Sequence, residues 1–328
     1  FEVFKGLFFT NFLISNMGKI LITGAGGQLG SELTAALADK FGGATIIATD
    51  INENAKDKFD YCTFEVLDVL DNNRLVELID KYEVSEVYHL AAILSAVGEK
   101  NPLFTWKLNM DSLLNVLEIG KAGKIEKIYW PSSIAVFGKN TPADNTPQDC
   151  VMDPTTVYGI SKLAGERWCA YYFEKYGVDV RSLRYPGLIG YKSAAGGGTT
   201  DYAVDIFRAA IEGEEFECFL AEDMYLPMMY MPDAIKATLD LMQAPKEDIS
   251  IRSSYNVSAV SFSPKEIYSE LLKYYPDFKI KYNPDFRQEI AASWPDSIDD
   301  TRARLDWDWQ HNYDMSKMAK DILDHLTN

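Results

Sequence analysis

The sequence contains few of the residues that bind metals or form disulfide frameworks. Three histidines and four cysteines are spread over 328 residues. The cysteines include no C-x-x-C pair, so their spacing predicts neither a zinc site nor a set of disulfides. We therefore expect no bound metal.

The sequence also lacks an excess of positive charge and a long hydrophobic segment. Its formal net charge is -17, and a surface this negative repels phosphate backbones and anionic lipid headgroups. The longest apolar stretch, residues 6–14, is interrupted by Thr10 and Asn11. It is far shorter than the roughly 20 residues that a membrane span needs. We expect no nucleic acid partner and no membrane partner.

Residues 1–16 have no recognisable targeting pattern. They show neither the basic region and small-residue exit of a secretory signal nor the arginines of a mitochondrial presequence. We interpret them as a disordered extension and expect the folded domain to start near Met17. The expected location is the cytoplasm, with the mitochondrial matrix as the alternative.

From Lys19 onward, short β-branched runs alternate with amphipathic segments, beginning with KILITG, a helix and ATIIATD. This alternation predicts an α/β fold with a doubly wound parallel sheet, the Rossmann arrangement, over residues 17–186. Beyond Pro186, loops rich in glycine and proline separate isolated helices, one of them starting with a capping box at Ser263. We expect residues 187–328 to form mainly a smaller, discontinuous substrate lobe, with some segments returning to the Rossmann domain.

A glycine-rich turn joins the first strand to the first helix. Gly24, Gly27 and Gly30 form the pattern G-x-x-G-x-x-G, with Gln28 and Leu29 between the last two. The first glycine permits the tight turn, the second allows a pyrophosphate to approach the backbone, and the third allows helix and strand to pack closely. A purely structural turn is the alternative, but the strand and helix on either side favour a dinucleotide site.

Two acidic residues follow the next strands. Asp50 ends the second strand, twenty residues after Gly30, where its side chain can accept hydrogen bonds from an adenosine ribose. A carboxylate there repels a 2′-phosphate, so NAD is favoured over NADP as the cofactor. Asp68, after the third strand, could contact the adenine or simply form a turn.

Tyr158 and Lys162 stand at i and i+4 and therefore share one helix face. A tyrosine titrates near ~10, so acting as a base at neutral pH requires its pKa to fall by about three units. A nearby ammonium, joined by a positive nicotinamide ring, could supply that lowering. Ser133 follows the fifth strand, where doubly wound sheets bind ligands, and its hydroxyl could hold a substrate oxygen. A serine there could also be a simple cap.

Taken together, these motifs resemble the extended short-chain dehydrogenase/reductases. The shared features are the glycine turn, Leu90-Ala91-Ala92, Asn109, Ser133 and the Tyr158/Lys162 pair. Several segments in both lobes resemble more narrowly the NAD-dependent, zinc-free L-threonine 3-dehydrogenases of that superfamily: PSSIAVFG, TVYGISKLAGERWC, RYPGLIG, GGGTTDYAVDIF, MMYMPDA, RSSYN and SWPDSIDDTRARLDWDW.

The resemblance implies oxidation of the Cβ hydroxyl of L-threonine to L-2-amino-3-ketobutyrate. Tyr158 would be the base, Lys162 its partner and a ligand of the nicotinamide ribose, and Ser133 the ligand of the substrate hydroxyl. Further cofactor contacts are implied for Leu90, Ala91, Ala92, Asn109 and Tyr185. The implied substrate contacts are Ser95, Gly187, Gly198, Thr199, Thr200 and Trp294.

The threonine carboxylate would meet the backbone N–H groups of the glycine run 196–198 and the hydroxyls of Thr199 and Thr200, at the start of a helix. A flexible surface loop is the alternative interpretation of this segment. The long helices over 103–122 and 156–176 carry apolar residues on more than one face, and their resemblance to the interface helices of the superfamily implies a homodimer.

Two alternatives from other classes remain open, a nucleotide-sugar epimerase or dehydratase and a non-enzymatic NAD-binding protein. Phe137 and Arg184-Tyr185-Pro186-Gly187 depart from the epimerase pattern. The phosphates of a nucleotide sugar would need arginines, and the candidates are Arg252, Arg287, Arg302 and Arg304. We interpret the last two as partners of neighbouring aspartates. A protein that only binds the dinucleotide would not require the Tyr158/Lys162 pair.

Overall fold

The computed structural model describes residues 18–192 and 198–327. Residues 1–16, interpreted as an extension, lie outside this part of the chain. The strands are β1 (Lys19–Thr23), β2 (Ile46–Asp50), β3 (Thr63–Val66), β4 (Val84–His89), β5 (Lys127–Tyr129), β6 (Ser132–Ser133), β7 (Asp179–Arg181), β8 (Leu183–Tyr185), β9 (Gly187–Ile189), β10 (Phe216–Cys218), β11 (Leu226–Tyr230), β12 (Tyr255–Asn256), β13 (Val260–Phe262) and β14 (Ile280–Tyr282).

The helices alternate with groups of one to three strands along much of the chain, and the last three helices follow one another after β14. They are α1 (Gln28–Phe41), α2 (Asn72–Tyr82), α3 (Ser95–Gly98), α4 (Pro102–Lys121), α5 (Val157–Tyr176), α6 (Tyr202–Glu212), α7 (Met231–Gln243), α8 (Pro264–Leu271), α9 (Phe286–Ala291), α10 (Thr301–Trp307) and α11 (Met315–Thr327). The capping box expected at Ser263 is present at the start of α8.

The main sheet has six strands in the order β3-β2-β1-β4-β5-β7. Strand β1 pairs in parallel with both β2 and β4. Ile20, Leu21 and Ile22 of β1 are completely buried, as is typical of a parallel sheet covered on both faces. The predicted α/β, doubly wound parallel sheet is confirmed.

Smaller sheets follow the main one. Strands β12, β8 and β6 form a parallel sheet in that order, in which Ser132 pairs with Arg184 and Ser133 with Tyr185. Strand β11 lies between β13 and β9, and β10 pairs with β14. The β6–β8 pairing matters for the site, because it fixes where Ser133 leaves its strand.

The chain folds into two compact units. Of the described residues, unit 1 comprises 18–91, Asp111–Tyr129 and Tyr172–Val180. Unit 2 comprises Ala92–Met110, Trp130–Tyr171 and the described residues from 181 onward, and it is therefore discontinuous in sequence. These units are not the two predicted lobes, and the boundary at residue 186 stays a prediction. Within the described residues, no helix combines the length and apolar character of a membrane span.

Candidate active site

The glycine turn of unit 1 needs glycine for steric reasons. Gly24 has φ 69°, a left-handed conformation that favours glycine. A Cβ on Gly24 would lie 2.8 Å from the backbone nitrogen of Ala91, and one on Gly30 would overlap the carbonyl oxygen of Gly24. The turn and the start of α1 are therefore packed against the end of β4 too tightly for side chains.

The second glycine of the pattern, Gly27, has more free space around its Cα atom. A Cβ on Gly27 would meet only the Gly24 carbonyl oxygen, at 3.3 Å, among the described atoms. Gly27 is also the N-cap of α1, and its helix start has no side-chain cap. Within the described part of the chain, the buried Gln28 Nε2 atom has no hydrogen-bond partner. An open backbone, helix N–H groups and an unpaired buried donor fit the pyrophosphate of a dinucleotide.

The Asp50 carboxylate accepts hydrogen bonds from the glycine turn and from the loop after β2. Its Oδ2 accepts a hydrogen bond from Gly26 N at 2.9 Å, and its Oδ1 accepts one from Asn52 N at 2.9 Å. An ionised carboxylate offers about four acceptor positions, so these two bonds leave capacity for ribose hydroxyls.

The sequence reasoning missed two residues at the same turn. A Cβ on Gly26 would lie 2.9 Å from Asp50 Oδ2, so a larger residue here would displace the Asp50 carboxylate. Lys58 places its Nζ 3.4 Å from the Gly26 carbonyl oxygen. The neighbouring glycines in the sequence could have indicated a role for Gly26. The position of Lys58 near the turn depends on the path of the chain after Asp50, which the sequence does not show.

The other cofactor residues predicted in unit 1 have structural contacts of their own. Asp68 is exposed and accepts a hydrogen bond from Leu70 N at 2.9 Å, which is the turn role. Leu90 N donates to the carbonyl oxygen of Thr23 at 3.1 Å, and Ala91 N donates to Thr23 Oγ1 at 3.4 Å. These bonds extend the contact between the first and fourth strands to the glycine turn. A cofactor contact for these residues stays a prediction.

Unit 2 brings Ser133, Tyr158 and Lys162 together. Ser133 ends β6, and the other two lie in the first turns of α5. The Ser133 side chain lies close enough to the Tyr158 phenol to act on its pKa. Lys162 Nζ lies 5.5 Å from the centre of the Tyr158 ring. The hydroxyl, phenol and amine that the sequence singled out therefore form one cluster.

Two groups that sequence reasoning missed hold the lysine. Its Nζ donates a 2.6 Å hydrogen bond to the carbonyl oxygen of Pro131 and lies 4.4 Å from the centre of the Trp130 ring. Both contacts come from the segment that leads into Ser133. The Lys162 side chain is almost completely buried, so its position is fixed by this segment.

The pKa shifts differ from the expectation for Tyr158. Burial raises the pKa of the Tyr158 phenol to about 12, and the nearby Ser133 side chain only partly offsets this. Burial lowers the pKa of Lys162 to about 7, while the charges of Cys169 and Glu166 act in the opposite direction. The expected lowering of the phenol pKa is therefore not supplied by the chain's own residues, because desolvation outweighs their hydrogen bonding.

Asn109 connects the segment after β4 to helix α5. Its Oδ1 accepts from Ile93 N at 2.9 Å, and its Nδ2 donates to the Ile93 carbonyl oxygen at 3.1 Å and to Ser161 Oγ at 3.2 Å. The side chain thus ties the segment after β4 to the residue next to Lys162. Ala92 is partly buried in that segment.

The Tyr185 hydroxyl is hydrogen-bonded to helix α7. The group contacts the Ala234 carbonyl oxygen at 3.3 Å and Thr238 Oγ1, both on α7. A cofactor contact of Tyr185 is a prediction that these bonds do not test.

Four of the predicted substrate residues lie in pairs. Ser95 Oγ and Thr199 Oγ1 are 3.4 Å apart, and both residues are buried. A Cβ on Gly187 would lie 2.7 Å from Thr200 Cγ2, so glycine allows that threonine to approach β9. Trp294 is buried in the hydrophobic cluster of unit 2, against which Tyr158 also packs. Of the glycine run, residues 196 and 197 lie outside the described residues.

The start of α6 differs from the expected carboxylate site. The helix begins at Tyr202 rather than Thr200, and the Asp201 carboxylate accepts a 2.7 Å hydrogen bond from Gly198 N. The expectation that this helix start would receive the threonine carboxylate overlooked Asp201. A negative charge here favours a cation over an anion.

The described residues contain no group of three or more His, Cys, Asp or Glu side chains that could hold a metal ion. The reactive groups assembled in unit 2 are a hydroxyl, a phenol and an amine. Such a set can bind an alcohol oxygen and exchange a proton with it.

Comparisons with known proteins agree with this arrangement. The model of the NAD dependent epimerase/dehydratase family matches residues 20–269. The chain is similar in structure to a GalE-like L-threonine dehydrogenase from Cupriavidus necator in its holo form, with 53% sequence identity and a TM-score of 0.92 over 94% of this chain and 99% of the other.

Two further relatives extend this comparison. A monomeric L-threonine 3-dehydrogenase from a metagenome, in its apo form, is 46% identical, with a TM-score of 0.89 over 94% of this chain and 98% of the other. An uncharacterised epimerase/dehydratase from Staphylococcus saprophyticus is 46% identical over 312 residues, which are 94% of this chain and 97% of the relative.

Proposed function

Because the chain belongs to the NAD dependent epimerase/dehydratase family, we propose that it is an NAD-dependent L-threonine 3-dehydrogenase. It oxidises the Cβ hydroxyl of L-threonine to L-2-amino-3-ketobutyrate, a step of threonine catabolism. The observation that carries the proposal is the cluster of Ser133, Tyr158 and the buried Lys162, whose Nζ lies 5.5 Å from the centre of the Tyr158 ring. Relatives with about half of their residues in common with this chain carry the same activity in their names.

The residues of unit 1 hold the cofactor. The glycine turn and the N-terminus of α1 bind the pyrophosphate, and Gln28 Nε2, which has no hydrogen-bond partner among the described residues, donates to it. Asp50 accepts from the ribose hydroxyls with the acceptor positions that Gly26 and Asn52 leave open. When bound, NAD supplies the acceptor for the hydride that leaves the threonine Cβ.

The residues of unit 2 bind and deprotonate the alcohol. Ser133 and Tyr158 together hold the hydroxyl oxygen of the substrate, since the Ser133 side chain lies beside the Tyr158 phenol. Tyr158 then takes the hydroxyl proton as general base. Lys162, fixed by Pro131 and Trp130, stabilises the phenolate through its charge.

The rest of the substrate meets polar groups of the same unit. Ser95, Thr199 and Thr200 offer hydroxyls, and Asp201 offers a negative charge that suits the ammonium group of threonine. Gly187 leaves room beside Thr200. Trp294 closes the substrate pocket with its ring.

Three of the four arginines considered for a nucleotide sugar are paired with carboxylates. Arg287 is held by Asp285 at 2.6 Å, and Arg304 is held by Asp300 at 2.7 Å. Arg302 contacts Asp306 at 3.9 Å. These pairs take up charge that diphosphate binding would require, which favours the smaller, zwitterionic substrate.

One set of incubations separates the three functions considered. The protein is given NAD with L-threonine or with UDP-galactose, and NADH and sugar products are measured. NADH formation with threonine alone supports the proposal. Interconversion of the sugar without net NADH would replace it with an epimerase, and tight NAD binding without turnover would replace it with a binding protein.

We further propose that the chain forms a homodimer through α4 and α5. Leu103 is 83% exposed, and Trp106, Ile160, Trp168 and Tyr171 are also exposed large apolar residues on these helices. Burying such surface is favourable at about 25 cal/mol per Å². One solved relative is described as monomeric, so the assembly must be measured for this chain.

Leu103→Glu should convert the dimer to a monomer of 37.0 kDa in light scattering. Leu305→Glu, at a position that is 74% exposed on α10, is the matched control and should leave the mass unchanged. A monomeric wild type would contradict the proposal.

The proposed location is the cytosol, with the mitochondrial matrix as the alternative. All four cysteines are free thiols, which is usual in reducing compartments. Fractionation of the native cells tests this location.

A further inference from the structure

Helix α5 carries a third polar residue at the spacing that separates Tyr158 from Lys162. Glu166 stands another four residues along, so the three side chains lie on one face of the helix. The Glu166 side chain is 0% exposed. A buried carboxylate is costly unless hydrogen bonds and an opposite charge compensate it.

The contacts of Glu166 reach the strand that carries Ser133. Ser132 Oγ donates a 2.7 Å hydrogen bond to Glu166 Oε1. Arg184 makes a bidentate pair with the same carboxylate, from Nε to Oε1 at 2.9 Å and from Nη2 to Oε2 at 2.8 Å. Ser132 and Arg184 are themselves opposite each other in the β6–β8 pairing.

The remaining guanidinium nitrogen of Arg184, Nη1, is also hydrogen-bonded. Its Nη1 donates to the Gln148 carbonyl oxygen at 2.9 Å and to Asn256 Oδ1 at 3.0 Å. The guanidinium is 1% exposed. The network is therefore rigid, because every member has at least one partner that fixes its position.

We propose that Glu166 is a positioning residue, which ties the strand of Ser133 to the helix of Tyr158 and Lys162 and so sets the spacing of the three reactive groups. This inference rests on the proposed function for the reaction that it serves. The geometric reason is direct. Ser132 is the neighbour of Ser133 in β6, and Glu166 is one helical turn from Lys162. A reactive geometry that shifts by about 1 Å costs about 10²-fold in rate.

The carboxylate also acts on the charge of Lys162. The titratable and charged groups around this lysine are Tyr158, Cys169 and Glu166 on its own helix and, through Glu166, Arg184 on β8 and the exposed Arg167. The negative charge of Glu166 raises the pKa of Lys162, against the larger effect of burial. Removing that charge leaves Arg184 unpaired and shifts Lys162 further towards its neutral form.

The test compares three variants. Glu166→Gln should lower kcat by about tenfold with the KM for threonine within about threefold, since positioning affects the transition state more than binding. In ¹³C-lysine NMR, with Lys162→Met to assign the signal, the Lys162 midpoint should fall by about one pH unit or more. Glu166→Asp keeps the charge and shortens the link, so kcat should fall while the midpoint stays. Ser132→Ala should lower kcat by about threefold to tenfold without moving the midpoint.

Glu270→Gln is the matched control, because it removes another buried carboxylate, which pairs with Lys273 at 2.5 Å. It should leave both the kcat and the Lys162 midpoint unchanged. Wild-type kcat in Glu166→Gln and Ser132→Ala would overturn the proposal. If Glu166→Gln does not fold, Ser132→Ala decides, and wild-type kcat in that variant overturns the proposal alone.

The proposed function can fail separately. If the wild type forms no NADH from threonine, the reaction assignment is wrong. The NMR midpoints then still decide the effect of Glu166 on Lys162, because they need neither substrate nor cofactor.

Discussion

Replacing Tyr158 by phenylalanine removes one oxygen atom and preserves the packing around it. The ring keeps its place against the hydrophobic cluster of unit 2 and its distance of 5.5 Å from Lys162 Nζ. The change deletes the phenol hydroxyl beside Ser133. The variant therefore tests the proton acceptor with little structural disturbance.

The pKa of the phenol sets the magnitude. Burial raises it to about 12, whereas a base that works at neutral pH needs a pKa near 7. The difference of about 5 units corresponds to about 7 kcal/mol of preferential stabilisation of the phenolate. The charge of Lys162 and the positive charge of the nicotinamide ring of bound NAD must provide this stabilisation. No carboxylate or histidine was found among the described contacts of this phenol that could replace it.

Tyr158→Phe should therefore lower kcat by at least ~10², the usual contribution of a general base. The Kd for NAD, measured by fluorescence titration, should stay within about twofold of the wild type. Below the apparent pKa of the base, wild-type kcat should rise about tenfold per pH unit, because the deprotonated form is the active one, and the variant should lose this rise. Tyr171→Phe, on the exposed part of the same helix, is the control. Turnover by Tyr158→Phe within tenfold of the wild type would refute the role of the phenol.

The remaining predictions concern the cofactor turn and metals. Gly24→Ala should weaken NAD binding at least tenfold in a titration, because its Cβ would lie 2.8 Å from Ala91 N. Gly42→Ala, which shares a positive φ but meets nothing within 4 Å among the described atoms, should cost only about 1 kcal/mol of unfolding free energy and leave the affinity unchanged. Equal losses of affinity in both variants would count against close packing at the turn. EDTA should not reduce turnover, and reversible inactivation that zinc relieves would show that a metal takes part.

The sequence predicts those parts of the site that depend on local spacing. The glycine pattern after a β-branched strand gives the dinucleotide turn, because both strand and helix start are local features. The i, i+4 spacing of Tyr158 and Lys162 gives their shared face. The capping box at Ser263 is equally local and is confirmed.

The missed features depend on contacts between distant segments. Glu166 and Arg184 meet through the β6–β8 pairing, and no short motif encodes that contact. The direction of the Tyr158 pKa shift follows from how much of unit 2 surrounds the phenol, which composition does not reveal. Asp201 looked like an ordinary helix residue until the start of α6 was known.

The single helix α5 constrains how this protein can change during evolution. One face carries Tyr158, Lys162 and Glu166, and exposed Ile160 and Trp168 lie on the same helix. Inserting or deleting one residue between Lys162 and Glu166 would turn everything beyond by about 100°, so the glutamate would leave Ser132 and the surface residues would also point elsewhere. A point substitution changes one side chain and keeps the others in place, but the length of this stretch is not free to drift.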